Sequence, residues 1–176
     1  MNAKVGRGAF YTGAQVIAPL PSRDMDQFDR RILQRLQDDA RTTTDDIAEA
    51  VGLSATAVQR RIKRLRAQGA IVSEVAVIDP AAVGLGLRVI VGVELIQGSR
   101  ADLIDPFKRR MAAQPQVQQC YYVAGEFDFL LIVLARDVAD YERLSRQLFF
   151  EDANIKRFTT TFVLDAAKVG LQVPID

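Results

Sequence analysis

The run Ser54-Ala55-Thr56-Ala57-Val58-Gln59-Arg60-Arg61-Ile62-Lys63-Arg64-Leu65-Arg66-Ala67-Gln68-Gly69 is where the fold of this chain is decided. Val58, Ile62 and Leu65 fall at i, i+4 and i+7, the spacing that lines one buried face of an α-helix. At about 100° per residue, Thr56, Arg60, Lys63 and Arg64 point away from that stripe, with Ala55 and Gln59 on its shoulders. Between Ala55 and Gln68 stand Arg60, Arg61, Lys63, Arg64 and Arg66 and no acid. Ser54 can cap the helix through its hydroxyl, and Gly69 is placed to end it.

Upstream, Gly52-Leu53-Ser54 reads as a tight turn in which Gly52 takes the left-handed conformation that closes a preceding helix. That helix begins at Thr43-Thr44-Asp45-Asp46, a capping hydroxyl followed three residues later by an acid, and turns Ile47, Ala48 and Val51 inward. Further upstream, Met25, Phe28, Ile32, Leu33 and Leu36 recur at helical spacing over Met25 to Gln37. The acids Asp45, Asp46 and Glu49 sit on the second helix, so positive charge is sorted onto the third. A helix of that kind attracts phosphates, and its arginines and glutamine can hydrogen-bond base edges in a major groove. An exposed basic helix can also be merely solvated; the capped helix and glycine turn before it favour a helix-turn-helix.

Downstream, Ile71 to Asp79 reads as a strand leaving the helical unit and Pro80 to Gly86 as a flexible connection. Leu87, Val89, Val91, Val93 and Leu95 alternate with Arg88, Ile90, Gly92 and Glu94, the period of a strand. A helix follows, starting either at Asp105-Pro106, with the aspartate as cap, or near Ser99 with a kink; the first is preferred. Val117 to Val123 and Phe127 to Leu134 read as strands joined by a short turn, Val138 to Phe150 as a helix capped by Asp137, and Arg157 to Leu164 as the last strand. The order β-α-β-β-α-β is that of a ferredoxin-like sandwich. Both alternating sets of Phe127 to Leu134 are largely apolar, and helices cover only one sheet face, so the other is expected to meet a second copy of the chain.

Composition excludes several classes of chemistry. The formal net charge is +1, so affinity for nucleic acid has to come from a local surface. There is no histidine, and Cys120 is the single cysteine. No catalytic triad, zinc site or haem ligand can be drawn, so no catalytic residue, metal or cofactor is expected. No apolar run approaches the roughly 20 residues of a membrane span, and with one cysteine the cytoplasm is the expected compartment.

The motifs Met25-Asp26, Asp29-Arg30-Arg31-Ile32-Leu33, Asp38-Asp39-Ala40-Arg41, Val51-Gly52-Leu53-Ser54, Arg60-Arg61-Ile62-Lys63-Arg64-Leu65 and Gly69-Ala70-Ile71, followed by Gly125-Glu126-Phe127-Asp128-Phe129-Leu130-Leu131, resemble those of the Lrp/AsnC family of leucine- and asparagine-responsive transcription regulators. The resemblance runs from about Met25 to Lys168. It implies an α+β protein with an N-terminal, winged-helix-like helix-turn-helix domain and a C-terminal ferredoxin-like domain that binds an effector and dimerises. The divisions expected are a flexible extension (1–24), the DNA-binding domain (25–70), a hinge strand and linker (71–86), the effector domain (87–168) and a tail (169–176). A helix-turn-helix spanning about Thr44 to Lys63 adds Thr44 and Ser54 to the DNA-facing set of Ala55, Thr56, Gln59, Arg60, Lys63 and Arg64.

The same resemblance implies homodimers assembling to octamers, with an effector amino acid between dimers. It would lie against the turn Ala124-Gly125-Glu126-Phe127-Asp128, with Tyr122 beside it, and near Thr159, Thr160 and Thr161. Donors would meet its carboxylate, and Asp128 would accept from its ammonium. Ala124 departs from the serine or threonine common there and removes one hydroxyl. Read without the resemblance, the turn is a plain hairpin in which Gly125 supplies a positive φ. The alternatives are a metabolite-sensing ferredoxin-like module without DNA binding, disfavoured by the basic helix face, and an enzyme resembling the sirohaem decarboxylases, disfavoured by the absence of histidine.

Overall fold

The structure, a computed structural model, describes residues 25–96 and 101–175. The expected N-terminal extension and the alternative helix start near Ser99 lie outside the described residues. The chain forms two compact units, one running up to Ala76 and taking in the segment from Gly170, the other Val77–Val169.

The first unit holds three helices, α1 (Gln27–Asp38), α2 (Thr44–Val51) and α3 (Ala55–Ala67). Each starts where a side chain satisfies an otherwise unpaired N–H. Asp26 accepts from the Asp29 N–H at 2.8 Å while Asp29 accepts in return from the Asp26 N–H at 3.3 Å, a capping box. Thr43 accepts from the Asp46 N–H and Ser54 from the Ala57 N–H. Gly52, with φ of 75°, closes α2 as the Gly52 and Leu53 N–H groups both donate to the Ala48 carbonyl. Ile32, Ile47, Val51, Val58, Ile62 and Leu65 bury against one another as the core.

The expected strand over Ile71–Asp79 does not form: these residues carry no ladder, and Val72, Val75, Val77 and Ile78 are exposed. A strand exists only by pairing, and β-branched residues without a neighbouring edge stay irregular. The connection after it contains a 3-10 turn over Pro80–Val83, capped by Asp79 and closed by Gly84 with φ of 79°.

The second unit is a four-stranded antiparallel sheet in the order β2-β3-β1-β4, made of β1 (Leu87–Leu95), β2 (Val117–Tyr122), β3 (Phe129–Ala135) and β4 (Ile155–Phe162). The helices α4 (Ala101–Ala112) and α5 (Val138–Ser145) complete the βαββαβ order, and α5 continues into a π-helical turn over Arg146–Phe150. Val89, Val91, Val93 and Leu95 of β1 and Phe129, Leu131 and Val133 of β3 meet Ile104, Phe107 and Met111 of α4 and Tyr141, Leu144 and Leu148 of the α5 segment. The protein is thus α+β, a helix-turn-helix unit followed by a ferredoxin-like one.

One preferred helix start is corrected. α4 is already running at Ala101 and passes through Pro106, so Asp105 is not its cap. Pro106 faces solvent, and Ile104, Phe107 and Met111 anchor the helix from the other side. Burial of that stripe outweighs one missing helical donor.

Candidate nucleic-acid interface and effector site

On α3 the buried stripe is Val58, Ile62 and Leu65, and Thr56, Gln59, Arg60 and Lys63 are exposed. Ser54 is exposed while its hydroxyl serves as the N-cap, and Thr44 and Ala55 are partly covered. Arg64 differs from its expected neighbours. Its Nη2 is paired with Asp29, whose side chain is only 1% accessible, and Arg61 Nη1 reaches the same carboxylate at 2.9 Å and Asp26 at 2.7 Å. The buried carboxylate of α1 thus holds two guanidiniums of α3. Arg64 still keeps 45% of its side chain accessible, so it stands between that carboxylate and solvent.

Asp29 was not singled out from the sequence as more than a polar position on α1. The signal for it was an acid three residues after Asp26, the same spacing read at Thr43. The N–H of Asp29, against the opposing effect of burial and with help from the Arg61 guanidinium, holds the Asp26 carboxyl below the usual aspartate range. A further basic residue, Arg66, is paired with Glu74 at 2.8 Å. Arg60 and Lys63 are therefore the cations of α3 for which no ion pair with this chain is found among the described residues.

In the second unit, strand alternation divides the expected effector residues between two faces. Thr159 pairs with Gly92 and Thr161 with Ile90, which places both on the sheet face away from the helices. Thr160 pairs with Val91 and bonds to the buried Tyr141 hydroxyl at 2.7 Å. It belongs to the helix-covered face and is removed from the candidate pocket. Tyr122 pairs with Phe129 and lies on that same covered face, under Lys108, so it too is separated from Thr159 and Thr161.

The turn itself is held by Asp128. Its N–H donates to the Val93 carbonyl at 2.9 Å, and its carboxylate accepts from the Leu95 N–H at 2.7 Å, where the β1–β4 register shifts. This side chain extends a ladder, so it is a structural acceptor and only its remaining lone pairs are left for an ammonium. Gly125 does not take a positive φ, contrary to the plain-hairpin expectation, and a Cβ added there would meet nothing within 4 Å. Neither backbone conformation nor crowding in this chain explains a glycine at that position.

Gly92 and Arg157, which the sequence reading did not assign to the site, shape the turn together with Phe127. The Phe127 ring lies on Gly92, where an added Cβ would come within 2.8 Å of three ring atoms. The Arg157 guanidinium is 6.0 Å from the ring centroid and pairs with Glu94 at 3.2 Å and Glu126 at 3.5 Å. A lone glycine inside a strand pattern was the available signal for the close approach. On the covered face, burial pushes the Cys120 thiol up to about 11 against the opposite pull of Lys108, so it packs as a neutral side chain.

With this geometry in place, comparison with known proteins defines the class. Residues 25–66 match the AsnC-type helix-turn-helix domain, and residues 88–173 match the Lrp/AsnC ligand binding domain. The chain belongs to the Lrp/AsnC family of transcriptional regulators. It is 42% identical over 153 residues to an uncharacterized HTH-type transcriptional regulator of Sinorhizobium fredii, covering 87% of this chain and 90% of that protein. It is 35% identical over 164 residues to the HTH-type transcriptional regulator AldR of Mycolicibacterium smegmatis, covering 92% and 95%. Among solved structures, a transcriptional regulator of Neisseria meningitidis in complex with L-methionine superposes with a TM-score of 0.80 at 27% identity, covering 86% and 97%. The relatives are named as regulators and not as enzymes, and no described helix is long and apolar enough to cross a membrane.

Proposed function

We propose that this regulator reads double-stranded DNA with the exposed face of α3, chiefly Thr56, Gln59, Arg60 and Lys63, and responds to an amino acid held on the open face of its sheet. The observation that carries the first half is the division of α3 into a buried apolar stripe and a basic face on which Arg60 and Lys63 have no ion pair among the described residues. Arg64 takes a lesser part, as a phosphate contact shared with Asp29. The effector reading is supported by the space at Gly125, the hydroxyls of Thr159 and Thr161, and the cationic Arg157 beside the turn. It is supported further by the L-methionine in the Neisseria relative.

The same open face carries Ile90, Tyr121, Leu130 and Ile132, exposed or half-buried in the single chain. We read it as the surface on which two copies meet and dimers then assemble. Two α3 helices would reach successive major grooves, about 34 to 36 Å apart or at a multiple of it. Promoter DNA upstream of the chain's own gene is the first probe. Affinity should fall by orders of magnitude over a modest rise in salt, and Arg60→Ala should cost about 1–3 kcal/mol on the preferred sequence but little on random DNA. Salt-insensitive binding would sink the DNA reading; equal losses on both DNAs would reduce Arg60 to a phosphate contact. A thermal-shift screen of the twenty amino acids tests the effector, a selective ligand raising apparent stability.

A further inference from the structure

The last residues of the chain belong to the helix-turn-helix unit, not to the sheet unit they follow in sequence. Gln37, in the final turn of α1, grips Val173 at two points. Its Nε2 donates to the Val173 carbonyl at 2.8 Å, and its Oε1 accepts from the Val173 N–H at 2.9 Å. Gln172 Nε2 donates in turn to the Gln37 carbonyl at 3.2 Å, one of the terminal carbonyls an α-helix leaves without an internal partner.

A side-chain amide that meets both main-chain groups of one residue reproduces the exchange between paired strands, and it recognises extended backbone rather than a particular side chain. Leu171 and Val173 stay exposed, so apolar burial contributes little to this contact. Solvent-exposed hydrogen bonds are individually weak, which makes the contact releasable.

We infer that the C-terminal end of α1, centred on Gln37, is a docking surface for the chain's own extended segment Gly170–Ile175, which straps the sequence following β4 to the helix that positions α3. β4 carries Thr159 and Thr161, and residues 163–169 join it to the strap. α1 holds Arg61 and Arg64 of α3 through Asp29. The effector unit is thereby tied covalently to the DNA-binding unit before Val77 and tied again through the strap. A change at β4 that alters how often the strap is docked is felt by α1. This regulatory role rests on the functional reading above; the docking surface does not.

Amide hydrogen exchange on the full chain tests it without DNA or effector. In the unaltered protein the Val173 amide and the last turn of α1 should be protected. Gln37→Ala should speed exchange at both by about tenfold, and Gln37→Glu, which keeps the acceptor and loses the donor, by less. A chain ending at Val169 should show the same gain in α1, with nothing added by Gln37→Ala. A Val173 amide exchanging as fast as in an unfolded peptide, or additive effects of truncation and Gln37→Ala, overturns the strap. In a Cys120→Ser background that keeps Gln37, a short bismaleimide across Asp38→Cys and Val173→Cys should close within one chain. A covalent dimer instead would make a second copy the occupant and overturn it as stated. Protection at Val173 in a protein with no affinity for DNA would keep the docking surface and sink the regulator reading alone.

Discussion

Asp29 shows how a single side chain can do two tasks. It completes the capping box of α1 and pairs with two arginines of α3 from a buried position. Asp29→Ala removes the N-terminal partner and leaves Arg61 and Arg64 facing a gap. Because both arginines are partly solvated, the expected loss is about 2–3 kcal/mol, below that of a fully buried pair. Urea denaturation should show it, and a change below about 0.5 kcal/mol would mean the pairing is incidental. Gly92 sets a steric limit of the opposite kind. Gly92→Ala places a methyl group against the Phe127 ring, so the turn must shift, costing about 1–3 kcal/mol of stability. Any amino-acid response found by thermal shift should weaken with it. An unchanged melting temperature and response would show that Phe127 moves freely off its strand.

At the scale of elements, α2 and α3 were legible because cap, apolar period and stop signal agreed, Thr43 with Gly52 and Ser54 with Gly69, while α1 was legible from its apolar period alone. The four strands were legible from alternation, to within two residues at their ends. Two elements were not. Ile71–Asp79 has the composition of a strand, but composition cannot supply the edge it would pair with. Pro106 looked like a first residue, yet burial of Ile104, Phe107 and Met111 carried the helix through it. The candidate site was legible only as a neighbourhood. Alternation along β4 sends Thr160 to Tyr141, and Asp128 is spent on the Leu95 N–H, facts that depend on register across strands. The capping box of α1 also has a pH signature. The Asp26 carboxyl is held below its ordinary value, first by the Asp29 N–H and then by Arg61, so its stabilisation is present above the unfolded value near 3.8 and is lost as pH falls through the lower folded value. Asp26→Asn should flatten the stability profile of the first unit in that acidic window and leave it unaltered at neutral pH apart from a constant offset. A profile with the same acid slope in both proteins would remove Asp26 as a contributor.

For the molecule as a whole, the prediction concerns association. With one sheet face covered by helices and the other carrying Ile90, Tyr121, Leu130 and Ile132, the chain should be at least dimeric by light scattering at micromolar concentration. Ile90→Asp, placed at the middle of that face, should shift the distribution toward monomer, and a wild-type monomer at that concentration would refute the assembly. DNA affinity should fall with the dimer, because two half-site contacts then become one.

The valines of the connecting stretch have a practical consequence at the bench. Val72, Val75, Val77 and Ile78 form a bare β-prone ribbon, with Val77 93% accessible. Exposed segments of this composition are an aggregation hazard. Yield of soluble protein during overproduction should therefore fall as its concentration rises, and Val77→Lys should rescue preparations that precipitate.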